Sequence, residues 1–288
     1  MARAAAADGA RVTGIGHGNW AEAEWRAWGL DRWIRADVTL PALAALNLNP
    51  GAVFHCAGSG SVADSMRDPR RDFDRTVVSA LDVLEYARTL APDAAVVFPS
   101  SGSVYGATET MPFTVDMPLK PISPYGLHKK FVEDLARSHA ASFGLRTAVV
   151  RYFSIYGPGL RKQLLWDACG RLASGDAEFG GTGAESRDWL HVEDAAALML
   201  AAGRHAGPDC PVANGGSGRT TDIATVVTLV ADALASGGRP RFSGVSRPGD
   251  PAHTHADISE ALAWGWQPGR DLESGIADYV AWYRKDAG

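Results

Sequence analysis

Short apolar runs alternate with longer amphipathic stretches through the first half of the chain, and this alternation limits the fold more than any other feature. Runs at 11–15, 52–57, 95–99 and 146–151 are separated by stretches of helical period such as 71–90 and 124–142. Strand, helix and strand in succession join parallel strands by right-handed crossovers, which predicts a parallel sheet covered by helices on both faces. The run Ala52-Val-Phe-His-Cys-Ala57 is apolar at most positions, as a strand buried on both faces must be. The expected class is α/β with a doubly wound parallel sheet.

Beyond Arg151 the pattern loosens. Gly157-Pro-Gly159, Gly175, Gly180-Gly-Thr-Gly183, Gly215-Gly-Ser-Gly218 and Arg247-Pro-Gly-Asp-Pro251 punctuate shorter elements. A smaller C-terminal lobe is expected there, with packing helices at 192–204, 222–235 and 272–285. The 288 residues leave room for a large core and such a lobe.

A net charge of -5 offers no clustered basic face, so no nucleic-acid partner is expected. No apolar run reaches the roughly 18 residues of a membrane span, so no membrane partner is expected either. Cys56, Cys169 and Cys210 lie too far apart in sequence for a CxxC pair or a finger-type metal site. They read as reduced, mostly buried thiols of a cytoplasmic chain, and no metal is expected. His55, on a buried strand, reads as a core histidine.

The chemistry concentrates in Ser123-Pro-Tyr-Gly-Leu-His-Lys129. Ser123 suits a helix cap and Pro124 the first turn, where its missing amide costs nothing. Tyr125 and Lys129 then lie four apart on one helical face. An ammonium beside a phenol favours the phenolate, so the pair can move a proton to or from a substrate hydroxyl. Upstream, Val96-Val-Phe-Pro-Ser-Ser-Gly-Ser-Val-Tyr-Gly106 runs off a buried strand into a serine turn at the carboxyl edge of the sheet, where ligands bind in such folds.

Ser100-Ser-Gly-Ser-Val-Tyr-Gly106, Pro124-Tyr-Gly-Leu-His-Lys129, Arg151-Tyr-Phe-Ser-Ile-Tyr-Gly-Pro158, Arg187-Asp-Trp-Leu-His-Val-Glu-Asp194 and Arg247-Pro-Gly-Asp250 together resemble the extended short-chain dehydrogenase/reductases, the nucleotide-sugar epimerase/dehydratase family. The resemblance implies a catalytic set of Ser101, Tyr125 and Lys129, with Tyr125 as acid/base. It implies a C4 epimerase of a nucleotide-diphosphate sugar that uses NAD, or NADP, through a 4-keto intermediate. Where the family's dehydratases carry an acid in the serine turn, Gly102 and Ser103 stand here, so elimination lacks its acid and base. The alternatives are a 4-keto-sugar reductase using NADPH and a cofactor-free pseudo-enzyme that binds a sugar nucleotide.

By the same resemblance, Arg187 and Arg247 clamp the diphosphate, Asp250 orients Arg247 or faces a ribose, and Ser103 and Ser154 contact substrate. Cofactor contacts fall on Gly16, His17, Asp37, Val38, Ala57, Gly58 and Tyr152, besides Tyr125 and Lys129. A homodimer through 71–90 and 124–142 is implied. Residues 1–154 with 187–214 form the dinucleotide-binding domain, and 155–186 with 215–288 the substrate lobe.

Gly14-Ile-Gly-His-Gly18 is not the dinucleotide fingerprint, because the third glycine falls at Asn19. Spacing back from Ser101 instead places 11–15 at the family's second strand and Met1–Asp8 at the tail of its first helix. The usual first strand and glycine-rich loop, on the order of 20 residues, are then expected to be lacking, with apolar sheet edges left open.

Overall fold

The computed structural model describes residues 1–245 and 252–287. Its centre is a parallel four-stranded sheet of β3 (Ala52–Phe54), β4 (Ala95–Ser101), β5 (Arg146–Tyr152) and β9 (Val212–Gly215), in the order β3-β4-β5-β9. Alternation along β4 and β5 sends side chains to opposite faces. Val96, Phe98 and Val149 join one apolar cluster, and Ala95, Val97, Ala148 and Val150 the other. Both faces are therefore dry, as the apolar strands required.

Helices α3 (Leu40–Ala45), α6 (Ser79–Leu90) and α7 (Pro124–Phe143) supply the first face, and α9 (Val192–His205) the second. The expected helix at 71–90 is composite: α4 (Val62–Arg67) precedes α5 (Pro69–Phe73), and a wide turn at Asp74–Val78 leads into α6. The helix α7 has the cap its sequence promised. Ser123 Oγ accepts from the Gly126 amide at 3.2 Å, Pro124 fills the first turn, and Gly144 at φ +70° ends the helix, a conformation only glycine takes at no cost.

Ahead of β3, α1 (Ala2–Ala7) packs on α9 and is followed by β1 (Thr13–Gly16), α2 (Glu22–Ala27) and β2 (Arg32–Arg35). β1 and β2 pair only with each other, so among the described residues no strand lies between β1 and β3. The two sheets are joined by side chains instead, with Ile15, Val38 and Leu40 packed on the cluster that also takes Val53.

Past β5 run β6 (Ser154–Tyr156), α8 (Gln163–Ala173), β7 (Glu178–Phe179) and β8 (Ser186–His191). β10 (Thr220–Asp222), α10 (Ile223–Leu234), β11 (Arg241–Phe242), α11 (Ser259–Ala263) and α12 (Leu272–Ala287) follow. β10, β8 and β6 form a small mixed sheet, and β11 pairs with β7. A third apolar cluster gathers α8, α10 and α12 around Cys169, Val226, Val230 and Tyr279. Cys169 and Cys210 are buried, whereas Cys56 is exposed just past the end of β3. His55 is a core histidine: it shares a 2.9 Å hydrogen bond with Ser79, and burial, helped by the charge of Lys129, pulls its pKa down to about 3.

Candidate active site

At the carboxyl ends of β4 and β5 a cleft of about 520 Å³ opens. Ser101, Tyr125, Lys129 and Tyr152 are among the residues that line it, as are Lys162 and Gln163 at the start of α8. No Asp or Glu is among the described residues that line it. Tyr152 is fixed by a 2.6 Å bond from its hydroxyl to the Ala195 carbonyl. Lys162 Nζ reaches the Gly60 carbonyl at 3.5 Å. Gln163 holds φ +68°, a strained conformation for a residue with a side chain.

The three residues of the expected catalytic set come together here because two elements converge. β4 delivers Ser101 at its last position, and α7 presents Tyr125 and Lys129 one turn apart. Close approach is allowed by Gly126, where an added Cβ would sit 2.6 Å from the Ser103 carbonyl oxygen. Ser101 caps the short turn Gly102–Val104, and its Oγ accepts from the Ser103 amide at 3.2 Å and the Ser103 hydroxyl at 2.8 Å. Ser103 itself is not among the residues that line the cleft.

Lys129 is buried, with Nζ donating to the Pro99 carbonyl at 2.9 Å and lying 5.8 Å from the Tyr125 ring centroid. Burial lowers its pKa to about 8, against the opposing pull of Cys56, Asp72 and Glu133. Tyr125 departs from expectation. Its pKa is raised, because burial and the Asp72 carboxylate outweigh a hydrogen bond from Ser101 that favours the phenolate.

Sequence reasoning missed the layer beneath. Glu133, fully buried on α7 four residues past Lys129, accepts from Ser100 Oγ at 2.6 Å. Arg151 grips the same carboxylate through Nε at 3.0 Å and Nη2 at 2.8 Å. Arg151 also donates to the Tyr105 hydroxyl, which donates to Asn214 Oδ1 at 2.7 Å, and the Asn214 amide holds the Phe113 and Asp257 carbonyls. The available signal was a carboxylate on the apolar stripe of Val132, Ala136 and Ala140 together with an arginine on an apolar strand. Asp72 and His128 form a second buried pair beside the catalytic helix.

The remaining expected residues are spread out. Gly16 ends β1, and His17 pairs with Asp37 at 2.8 Å, both largely exposed. Val38 packs on the core, Ala57 is half-buried, and Gly58 turns at φ +117°. Ser154 opens β6, and Arg187 on β8 donates to the Ser186 and Ala252 carbonyls. Neither Ser154 nor Arg187 lines the cleft. Arg247 and Asp250 lie outside the described residues.

For a nicotinamide cofactor the fit is divided. Lys129 has donors left after Pro99, and with Tyr125 and Ser101 it faces the cleft, so the nicotinamide-ribose end fits. For the pyrophosphate end, among the described residues no strand lies between β1 and β3 to carry a glycine loop and helix N-terminus.

A family model described as the NAD dependent epimerase/dehydratase family matches residues 1–214. The chain is 30% identical over 260 residues to a UDP-glucose 4-epimerase of Mycolicibacterium smegmatis, covering 88% of this chain and 82% of that one. It is 28% identical over 250 residues to UDP-glucuronate 4-epimerase 5 of Arabidopsis thaliana, covering 80% of this chain but 57% of that longer one. The structure of a UDP-glucose 4-epimerase with UDP-glucose from Thermotoga maritima superposes with a TM-score of 0.88 at 25% identity, covering 99% of this chain and 94% of that one.

Proposed function

The chain belongs to the NAD dependent epimerase/dehydratase family, and on that premise we propose that it epimerises a UDP-sugar at C4 through a 4-keto intermediate, with NAD as cofactor. The reading rests on Ser101, Tyr125 and Lys129 sharing a cleft whose described lining holds no carboxylate. Elimination across the sugar ring needs an acid and a base beside the tyrosine, whereas epimerisation needs only one group that takes a proton and gives it back.

NAD, when bound, supplies the acceptor and later the donor of the C4 hydride, and its nicotinamide cation favours the phenolate that burial opposes. Tyr125 takes the C4 hydroxyl proton and later returns it, and Ser101 donates a hydrogen bond to the reacting oxygen. Lys129 stabilises the phenolate and holds the ribose hydroxyls with its free donors. The 4-keto sugar turns in the cleft before Tyr125 returns the proton, and Arg187, on β8 outside the described lining of the cleft, is the resemblance's candidate to hold the diphosphate. Half-exposed Val78, Leu81, Leu127 and Phe131 give 71–90 and 124–142 an apolar outer face, and we place a homodimer there. No helix among the described residues is long and apolar enough to cross a membrane.

The test is conversion of UDP-glucose and of UDP-glucuronate, followed by NMR, together with the nicotinamide nucleotide released on denaturing the purified protein. Retained or added NAD should support conversion without net consumption, and Tyr125→Phe should lower the rate at least ~10²-fold with folding intact. An unaffected Tyr125→Phe sinks the mechanism, and stoichiometric NADPH oxidation with a 4-keto sugar would make the chain a reductase.

A further inference from the structure

The first amides of a helix have no partner within it, and in α7 the one at Tyr125 finds its partner on another helix. Pro124 has no amide hydrogen, and the Gly126 amide donates to the Ser123 cap at 3.2 Å. The Tyr125 amide donates at 3.1 Å to Ser65 Oγ on α4. Ser65 is fully buried, and its hydroxyl donates to the Val62 carbonyl at 2.7 Å. A carbonyl only accepts and a backbone amide only donates, so each bond has one possible direction. A lone pair of Ser65 is thereby aimed at the backbone of Tyr125.

We infer that Ser65 is a positioning residue that fixes the backbone of Tyr125, and with it the phenol, relative to Ser101 and Lys129. The inference rests on the proposed epimerase chemistry, in which Tyr125 is the acid/base. Ser65 is not among the described residues that line the cleft, so its effect on the reaction passes through Tyr125.

The placement of α4 makes this tie consequential. Ser59 and Gly60 line the cleft, and Ser61 caps α4 by accepting from the Asp64 amide at 3.1 Å. The helix α4 thus runs directly from the cleft to the catalytic helix. Three residues beyond Tyr125, His128 pairs with Asp72 on α5, which holds the next part of α7 to the same segment. The Ser123 cap determines where α7 starts, whereas Ser65 and Asp72 determine where its first turn lies. Without the Ser65 acceptor the Tyr125 amide loses its partner, and the turn must shift or open to satisfy it. A displacement of about 1 Å at a reacting group can cost ~10²-fold in rate.

The readout is amide hydrogen exchange in the full chain labelled with ¹⁵N-tyrosine, the Tyr125 resonance identified by its loss in Tyr125→Phe. In Ser65→Ala the Tyr125 amide should exchange at least ~10-fold faster, while the Tyr152 amide on β5 changes less, because the opening is local. Turnover should fall at least ~10-fold with KM within about twofold. Ser65→Cys keeps the volume but offers only a weak acceptor, and should follow Ser65→Ala in both measurements. Unchanged exchange at Tyr125, equal acceleration at Tyr125 and Tyr152, or wild-type behaviour in Ser65→Cys beside a defect in Ser65→Ala would overturn the inference. So would a KM rise at constant kcat. A wild-type chain without epimerase activity would refute the proposed function, and the exchange measurement would still decide whether Ser65 holds Tyr125.

Discussion

Replacing Glu133 by Gln keeps the side chain's volume and one acceptor, so packing barely changes and the perturbation is the loss of one charge. Arg151 is only 2% exposed and would be left as a buried guanidinium with no counter-charge. Breaking a buried pair on one side costs about 3–5 kcal/mol, because the surviving ion has been desolvated without return. A domain typically holds roughly 5–15 kcal/mol in all, so Glu133→Gln should leave the fold marginal. Urea unfolding followed by circular dichroism measures this, as a fall in midpoint at constant slope. The control removes both charges in Glu133→Leu/Arg151→Met, which should recover more than half of the loss, since apolar replacement of a whole buried pair is close to neutral. Recovery stays incomplete because Ser100, Tyr105, the Val115 carbonyl and Arg137, which also donates to Glu133 at 3.0 Å, each lose a partner. A single-variant loss under about 1 kcal/mol, or a double variant worse than the single, would refute the account of a desolvated and mutually dependent pair.

Two further outcomes follow from the catalytic helix. The Lys129 pKa is lowered to about 8 by burial, so above that pH the folded protein releases a proton that the unfolded chain still holds. The penalty of burying the ammonium is complete below pH 8 and relieved as pH rises toward the unfolded value. Wild type should therefore gain on Lys129→Met by roughly 1 kcal/mol per pH unit over that window, and a flat or opposite trend in paired urea titrations would contradict the burial argument. Gly126→Ala would put a Cβ 2.6 Å from the Ser103 carbonyl oxygen, forcing α7 off the serine turn. It should cost about 1–3 kcal/mol of stability and a larger share of turnover than of substrate affinity, and a KM rise at constant kcat would place the effect elsewhere.

The catalytic helix and its strand were legible because their signals are local. Ser123, Pro124 and the spacing of Tyr125 and Lys129 determine where α7 starts and which face carries the chemistry. The apolar runs of β4 and β5 needed no partner to be recognised. β2 was not found, since Arg-Trp-Ile-Arg has exposed ends and no hydrophobic contrast with its flanks. The Glu133–Arg151 pair joins residues 18 apart on a helix and a strand, and only the packed structure shows that they face each other. Lys162 and Gln163 entered the cleft without a sequence signal because the loop before α8 is placed by the lobe's packing. The direction of the Tyr125 shift was misjudged because the pattern showed the neighbouring charge and hid the burial that opposes it.

The two parallel sheets differ in how firmly they are held. Five of the seven residues of β4 and six of β5 are buried, and seven Cα pairs hold the two strands in register. Ser101, Tyr125 and Lys129 thus stand on backbone tied by a ladder and covered on both faces. β1, β2 and α2 contain no buried residue, and β1 and β2 hydrogen-bond only to each other. Their link to the main sheet is the side-chain contact of Ile15 and Val38 with the shared core. Gly16, His17 and Asp37, to which the resemblance assigns cofactor contacts, lie on or next to that weaker unit. Local opening free energy scales with buried contacts and ladder bonds, so the β1–β2 pair opens before the catalytic floor does. On the proposed assignment of the cofactor to those residues, its affinity should fall at lower temperature and denaturant than the geometry among Ser101, Tyr125 and Lys129, which persists until the four-stranded sheet itself unfolds.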